Sequence, residues 1–328
     1  MSMPEVRETL WGKYVYAPSA TDSARMHTLI PKVAYLADCV TRRDLYGNSI
    51  ADERAYVAAW LTRTRDSWAG LGAPSFFVAR QPSQKQEVAN GIDAVLVIQI
   101  GNYYKAIGIE AKRPGMGVAR PWDKFITTAG VSRYHRQLLK QQALVGWGWT
   151  MGSLFLNELC PGTAGPPGTD LLGGTFVPRA PLLAASTLLT TPAPHHWKTS
   201  DLLPLLATGP AYNVEELLEL VIECRSGEPR TAEQLVESAM MFSTFDKDDG
   251  AQPERAIEPL RLSPGGHPST VLVRNLCRFT GAYAAVLLDG TPPERADASL
   301  PPAWRARLLD SKLPAPSGDD TNPERGRF

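Results

Sequence analysis

Three side chains with the types and spacing for phosphoryl chemistry lie within twenty residues of one another: Asp93, Glu110 and Lys112. Between them run two apolar stretches, residues 92–100 and 103–112, separated by Gly101-Asn102. That dipeptide is a plausible two-residue hairpin turn. If it closes, Ile100 faces Tyr103 and Gln99 faces Tyr104. Continued outward, this register sets Asp93 directly opposite Glu110. Opposed residues of an antiparallel pair have Cβ atoms roughly 4.5–5.5 Å apart on one sheet face, and Lys112, two residues on, shares that face. The other face carries Ala94, Leu96, Ile98, Ile100, Ile107, Ile109 and Ala111, a core face; Val95, Val97, Ala106 and Gly108 make the acidic side apolar as well. Two carboxylates so placed lose hydration and repel each other. A hard divalent cation, Mg2+ above all, relieves both effects with oxygen ligands, water and a substrate phosphate. The plainer alternative is an ion cluster at a strand end, which acidic residues tolerate there.

Elements must hold this hairpin in place. Helical spacing covers residues 24–46, with Pro31 as an early break, and residues 52–68, whose stripe is Tyr56, Val57, Trp60 and Leu61. A short strand is expected at 75–79. After the hairpin, Pro114, Gly115 and Gly117 stop the strand. A helix is expected over 131–145 with Ser132 as N-cap, then a strand over 147–156. The Pro/Gly-rich 161–168 reads as a loop or lid. Residues 214–224 and 232–241 read as helices, the second opened by a Thr231/Gln234 capping box. Residues 270–288 read as one further apolar helix. The tail, 314–328, is Pro, Gly and charge, and reads as disordered.

The segments Gly91-Ile92-Asp93 and Ile109-Glu110-Ala111-Lys112-Arg113 resemble the D…ExK core of the PD-(D/E)XK nuclease superfamily. That fold begins helix, three-stranded meander, helix, strand, the order just given for residues 52–156. Asp93 follows Ile92 rather than the eponymous proline. The resemblance implies that Asp93 and Glu110 bind Mg2+ or Mn2+, and that Lys112 orients or deprotonates the attacking water and offsets charge on the phosphate. Relatives often add an upstream glutamate. Glu87 is slightly favoured over Glu53, whose place at a helix start also suits a simple dipole interaction. Relatives also place a glutamine on the following helix, which points to Gln137 near the attacking water, with Gln141 its i+4 neighbour. Arg133, Arg136 and Lys140 share one face of that helix and, with Arg113, would contact phosphates; Arg120 and Lys124 extend the positive region. Each of these also reads as an ordinary solvated side chain.

Other residues say less. His195-His196-Trp197 reads as surface or packing, His135 as a solvated helix residue, and Asp246, Asp248 and Asp249 lack EF-hand spacing. Lys+Arg and Asp+Glu both total 34, so nucleic-acid binding must rest on a local basic face. Cys39, Cys160, Cys224 and Cys277 show no zinc spacing and read as reduced core residues of a cytoplasmic protein. Residues 1–16 do not look like a signal peptide, and no apolar stretch is long enough to span a membrane.

The expected architecture is α/β: a restriction-endonuclease-like core, with a mixed central sheet flanked by helices, and a mainly helical C-terminal elaboration. The division is an N-terminal helical segment (1–50), the nuclease-like core (51–160), the helical region (161–313) and the tail (314–328). The expected activity is Mg2+-dependent hydrolysis of DNA phosphodiesters, in restriction-like or antiphage defence by family analogy. The alternative is a catalytically degenerate nuclease-fold module that binds DNA or assembles. DNA versus RNA, specificity, and a homo-oligomer or protein partner are left open.

Overall fold

The apolar run ending at Ile100 and the run starting at Tyr103 form the centre of the molecule. The computed structural model describes residues 6–8, 14–16, 27–79, 91–113, 122–123, 132–156, 173–190, 195–244, 268–291 and 301–310. In it, β4 (Ala94–Ile100) and β5 (Tyr103–Lys112) pair antiparallel from Ile100↔Tyr103 to Ala94↔Ile109. This is the register a two-residue loop demands. Gly101 has φ +61, the left-handed geometry that lets the turn follow the twist of the strands. A separate two-stranded sheet pairs β1 (Val6–Glu8) with β2 (Tyr14–Tyr16).

The main sheet is mixed and six-stranded, ordered β3-β8-β4-β5-β6-β7. It comprises β3 (Ser75–Ala79), β6 (Thr150–Phe155), β7 (Thr175–Pro178) and β8 (Ala284–Asp289) beside the hairpin. β6 runs parallel to β5, and β8 parallel to β4. The expected three-stranded meander is therefore interrupted. β8, from the far end of the chain, lies between β3 and β4. The single helix expected over 270–288 is instead α9 (Pro268–Thr280) followed by β8; Gly281, at φ +71, turns the chain between them. The run Ala284–Leu288 is buried on both faces, a pattern that helical and strand readings share until its pairing partners are known.

Helices cover both faces. α1 (Ile30–Tyr46) starts at its own proline, which is tolerated in a first turn. α2 (Glu53–Gly70) is capped by the Asp52 carboxylate, which accepts from Ala55 N at 2.8 Å. These two, with α7 (Val214–Ile222) and α10 (Pro302–Asp310), cover the face of Leu96, Ile98, Ile107 and Ile109. The opposite face, with Val95, Val97 and Ala106, packs on α8 (Ala232–Thr244) and α9. The division of the hairpin into two apolar faces is thus as expected. The helix expected over 131–145 is two pieces, α3 (Arg133–Lys140) and α4 (Gln142–Gly146), with the Ser132 hydroxyl capping the first. The Thr231/Gln234 capping box forms. α5 (Arg179–Thr190) and α6 (Thr199–Thr208) lie within 161–313, expected to be mainly helical but with no element assigned at these positions, and β7 is a strand within that region. Together with α3, these helices bury Leu138, Leu182, Trp197 and Leu202.

Two buried polar groups pin the layers. Asp38 accepts from the Tyr56 hydroxyl and from Gly174 N, joining α1, α2 and the approach to β7. Lys105, fully buried on the β5 face, donates to the carbonyls of Val221, Ser226 and Gly227 at 2.6, 3.3 and 3.1 Å. It lies over the Trp304 ring, closing the carbonyl-rich end of α7. Cys39, Cys224 and Cys277 are buried and form no disulfide; Cys160 lies outside the described residues. Among the described residues no helix is long and apolar enough to cross a membrane.

Candidate active site

The ladder of β4 and β5 stops one residue short of the expected Asp93/Glu110 pair. Asp93 N donates to the Ile109 carbonyl at 2.8 Å, the residue already opposite Ala94. Asp93 therefore steps out of register instead of lying directly across from Glu110, as in a bulge that redirects a side chain. Its Oδ2 accepts from Ala111 N at 2.7 Å, so the carboxylate is held against the backbone between Glu110 and Lys112. The sequence could not show this step, since it changes no residue spacing.

Glu110 is fully buried, and its Oε1 lies 2.5 Å from Lys112 Nζ. Burial raises the Glu110 carboxyl from its ordinary 4.5 to about 7; Lys112 opposes the rise and Asp93 adds to it. Asp93 is also raised, first by burial, against the pull of Lys112 and the Ala111 N–H. For Lys112 burial favours loss of the proton, but Glu110 and then Asp93 outweigh it and hold the ammonium above its ordinary 10.5. Lys112 is consequently a donor at neutral pH. Of the two roles expected for it, orienting or deprotonating water, this charge state suits only the first.

Asp93 and Lys112 open on a cleft of about 260 Å³ that Glu53, Arg54, Arg133, Gln137 and Tyr283 also line. Glu53, the less favoured of the two upstream glutamates, is here. Its Oε1 accepts from Arg113 N at 3.1 Å, tying the start of α2 to the end of β5. Glu87, Arg120 and Lys124 lie outside the described residues, as do Asp246, Asp248 and Asp249. Of the four basic residues expected on phosphate, Arg133 reaches the cleft. Arg136 is exposed, Lys140 is half-buried, and neither lines it. Arg113 is tethered just ahead of α2, its guanidinium donating to the Ala51 carbonyl.

The glutamine that touches the acidic pair is Gln141, one turn after the expected Gln137. Its Nε2 donates to the Gly91 carbonyl at 2.7 Å and to Glu110 Oε2 at 3.3 Å. Gln137 lines the cleft and packs against Gly91. Both glutamines lie at helical spacing on one face, and only the tilt of α3 against β4 decides which reaches Glu110. Three further residues were not anticipated. Tyr134, buried beside Lys112, shares a hydrogen bond of 2.8 Å with Ser153, the β6 neighbour of Glu110. Asp123 accepts from Ser132 Oγ and Tyr134 N, fixing the start of α3. Tyr283 N donates to the Asp93 carbonyl, so β8 supports the site directly. His195 Nε2 is hydrogen-bonded to Asp201 at 2.8 Å, and His135 Nδ1 to Ser186 at 3.0 Å.

Among the described residues no three His, Cys, Asp or Glu side chains gather into one cluster. The acidic pair and its glutamine nonetheless offer oxygen ligands: Glu110 Oε1, paired with Lys112, and Gln141 Oε1, a buried oxygen that accepts no hydrogen bond among the described residues. No family model matches the chain, and no curated protein or solved structure matches it either.

Proposed function

We propose that this cleft hydrolyses phosphodiester bonds, most readily those of DNA, as a PD-(D/E)XK-type nuclease with a restriction-endonuclease-like core. The observation that carries the reading is the convergence of two desolvated carboxylates and a protonated lysine at the end of one hairpin, beside an open cleft. Buried like charges are retained at a cost, and their raised affinity for protons is also an affinity for a small cation. The ligand set, two carboxylates whose charge Lys112 only partly offsets, suits Mg2+ or Mn2+ with water and substrate phosphate completing the shell. When bound at Asp93 and Glu110, such a cation would supply Lewis acidity to the phosphate and make water a better nucleophile.

The chain's own groups account for the remainder. Lys112 donates to a phosphoryl oxygen and stabilises charge as it develops there. Arg133 adds positive charge at the cleft wall for a neighbouring phosphate. Gln141 and the Ala111 N–H fix the orientations of Glu110 and Asp93. Glu53, against the end of β5, stands in the place of the upstream acid. The order α2, β3, β4, β5, α3, β6 agrees with the superfamily's; β8 between β3 and β4 is an addition to it. Cytoplasmic action in restriction-like or antiphage defence follows by analogy.

A second reading rests on the full burial of Glu110, engaged by Lys112 and Gln141. In it, the fold is a catalytically degenerate module that binds DNA without cutting it. Supercoiled plasmid cleavage in Mg2+ or Mn2+ separates the two. Wild type should nick or linearise the plasmid, and Asp93→Asn, Glu110→Gln and Lys112→Met, each with an unchanged fold by circular dichroism, should lose roughly 100-fold or more in rate. Wild-type protein that binds DNA but cuts neither DNA nor RNA in either metal would establish the module instead.

A further inference from the structure

A second cavity, of about 330 Å³, lies at the start of β6, whose other end carries the strand neighbours of the acidic pair. Its floor includes Thr150 and Met151, which pair with Ile107 and Gly108. Glu110 and Lys112 pair with Ser153 and Phe155, two to five residues further along β6, or roughly 7–17 Å at the rise of a strand. The two cavities share no lining residue.

Its charge is one-sided. Arg179, Arg225 and Arg307 line it, and Glu228 is the acidic residue among its lining. Glu228 is already engaged by Arg230 at 2.6 Å. Arg225 is an exposed rim residue paired with Glu223. Arg307 is exposed and has no ion pair among the described residues. Arg179 is the unusual member, only 6% exposed. Its Nε donates to the Leu138 carbonyl at 2.6 Å, and among the described residues the two terminal nitrogens of the guanidinium have no further partner. Desolvation lowers its pKa, and among the described residues no carboxylate opposes that fall. A buried guanidinium without an anion is costly, and its planar fork matches an oxyanion that accepts two parallel hydrogen bonds.

The backbone has the same bias. Pro178, Arg179 and Ala180, where α5 begins, line the cavity, and a helix start favours negative charge through its unpaired N–H groups. Lys105 lies behind the turn at Ser226 and Gly227, donating to both carbonyls, and adds a further positive charge beneath the floor. Trp149, Met151 and Val145 give an apolar wall, room for a small organic group beside the anion.

From these groups we propose that the cavity is a binding site for a phosphate-type oxyanion, either free or carried as a small phosphomonoester. Arg179 is its buried anchor, with Arg225 and Arg307 closing over it from the rim.

Isothermal titration of the full chain with inorganic phosphate, and separately with adenosine 5′-monophosphate, tests this. It is run in chelator against sodium chloride of equal ionic strength. Saturable one-to-one binding of at least one probe is expected, weakened roughly tenfold in Arg307→Gln and further in the Arg225→Gln/Arg307→Gln double variant, as loss of charge-assisted hydrogen bonds implies. These rim variants leave the Arg179–Leu138 bond intact, and neither residue lines the acidic cleft, so their effect reports on this cavity. Equal affinity for the two probes marks free phosphate as the ligand; clearly tighter nucleotide binding marks a phosphomonoester. No saturable binding of either probe, or binding that the double variant leaves unchanged, overturns the proposal.

Discussion

Glu110 links proton binding, cation binding and stability, and the linkage has a definite sign. Its carboxyl moves from an ordinary 4.5 to about 7 in the fold. At about 1.4 kcal/mol for each tenfold change, this corresponds to roughly 3 kcal/mol. Because the folded value is the higher one, that stability is fully present below pH 4.5 and lost as pH rises through 7. Metal-free protein is therefore strained by this group at pH 8. A divalent cation relieves the strain there, whereas at pH 5.5 it must first displace a proton. Cation at a hundredfold excess over its Kd adds about 2.7 kcal/mol. At roughly 2 °C per kcal/mol, the low end for a large domain, the gain in Tm is about 5 °C. Scanning calorimetry with and without Mg2+ or Mn2+, at pH 8 and pH 5.5, measures it. The gain should be several degrees at pH 8 and under about 2 °C at pH 5.5, where proton competition weakens binding roughly thirtyfold. It should vanish at both in Glu110→Gln, which should also flatten the metal-free pH dependence. An equal gain at both pH values, or one that survives in Glu110→Gln and in Asp93→Asn, would refute the linkage and with it the cation site at this pair.

Three other perturbations probe the frame around the site. Lys105→Met removes three donors from buried carbonyls and should cost about 2–4 kcal/mol in urea unfolding; a cost under 1 kcal/mol would show that the α7 end does not depend on it. Gly91→Ala places a Cβ 2.8 Å from Gln137 Cβ at a φ of +62. It should destabilise by roughly 2–3 kcal/mol and slow cleavage by moving α3 and Gln141 away from Glu110; unchanged rate and stability would contradict the close approach. Asp38, raised from 3.8 to about 6 mainly by burial, contributes stability that is complete below pH 3.8 and lost as pH rises through 6. Asp38→Asn should therefore lessen the fall in stability between pH 4 and pH 7, and an unaltered slope by chemical denaturation would rule this out.

The local part of the site was legible in the sequence because local rules determine it. A two-residue turn with glycine first sets the register of β4 and β5, and the period of two then sorts their side chains onto faces. Asp52, Ser132 and Thr231 cap their helices through contacts three residues away. Such interactions need no distant partner, so spacing alone specifies them. The step at Asp93, the choice of Gln141 over Gln137 and the approach of Glu53 to Arg113 depend on how separate elements tilt against one another. So does the entry of β8 between β3 and β4. An all-apolar run such as Ala284–Leu288 gains burial as helix or strand alike, and the unpaired edges of β3 and β4, two hundred residues earlier in the chain, decide the outcome. The sequence determined which charges lie at the end of the hairpin; tertiary packing withdrew water from them, which raises the affinity of Glu110 for a proton, while the Glu110 and Asp93 carboxylates brought beside Lys112 hold it protonated against the same desolvation.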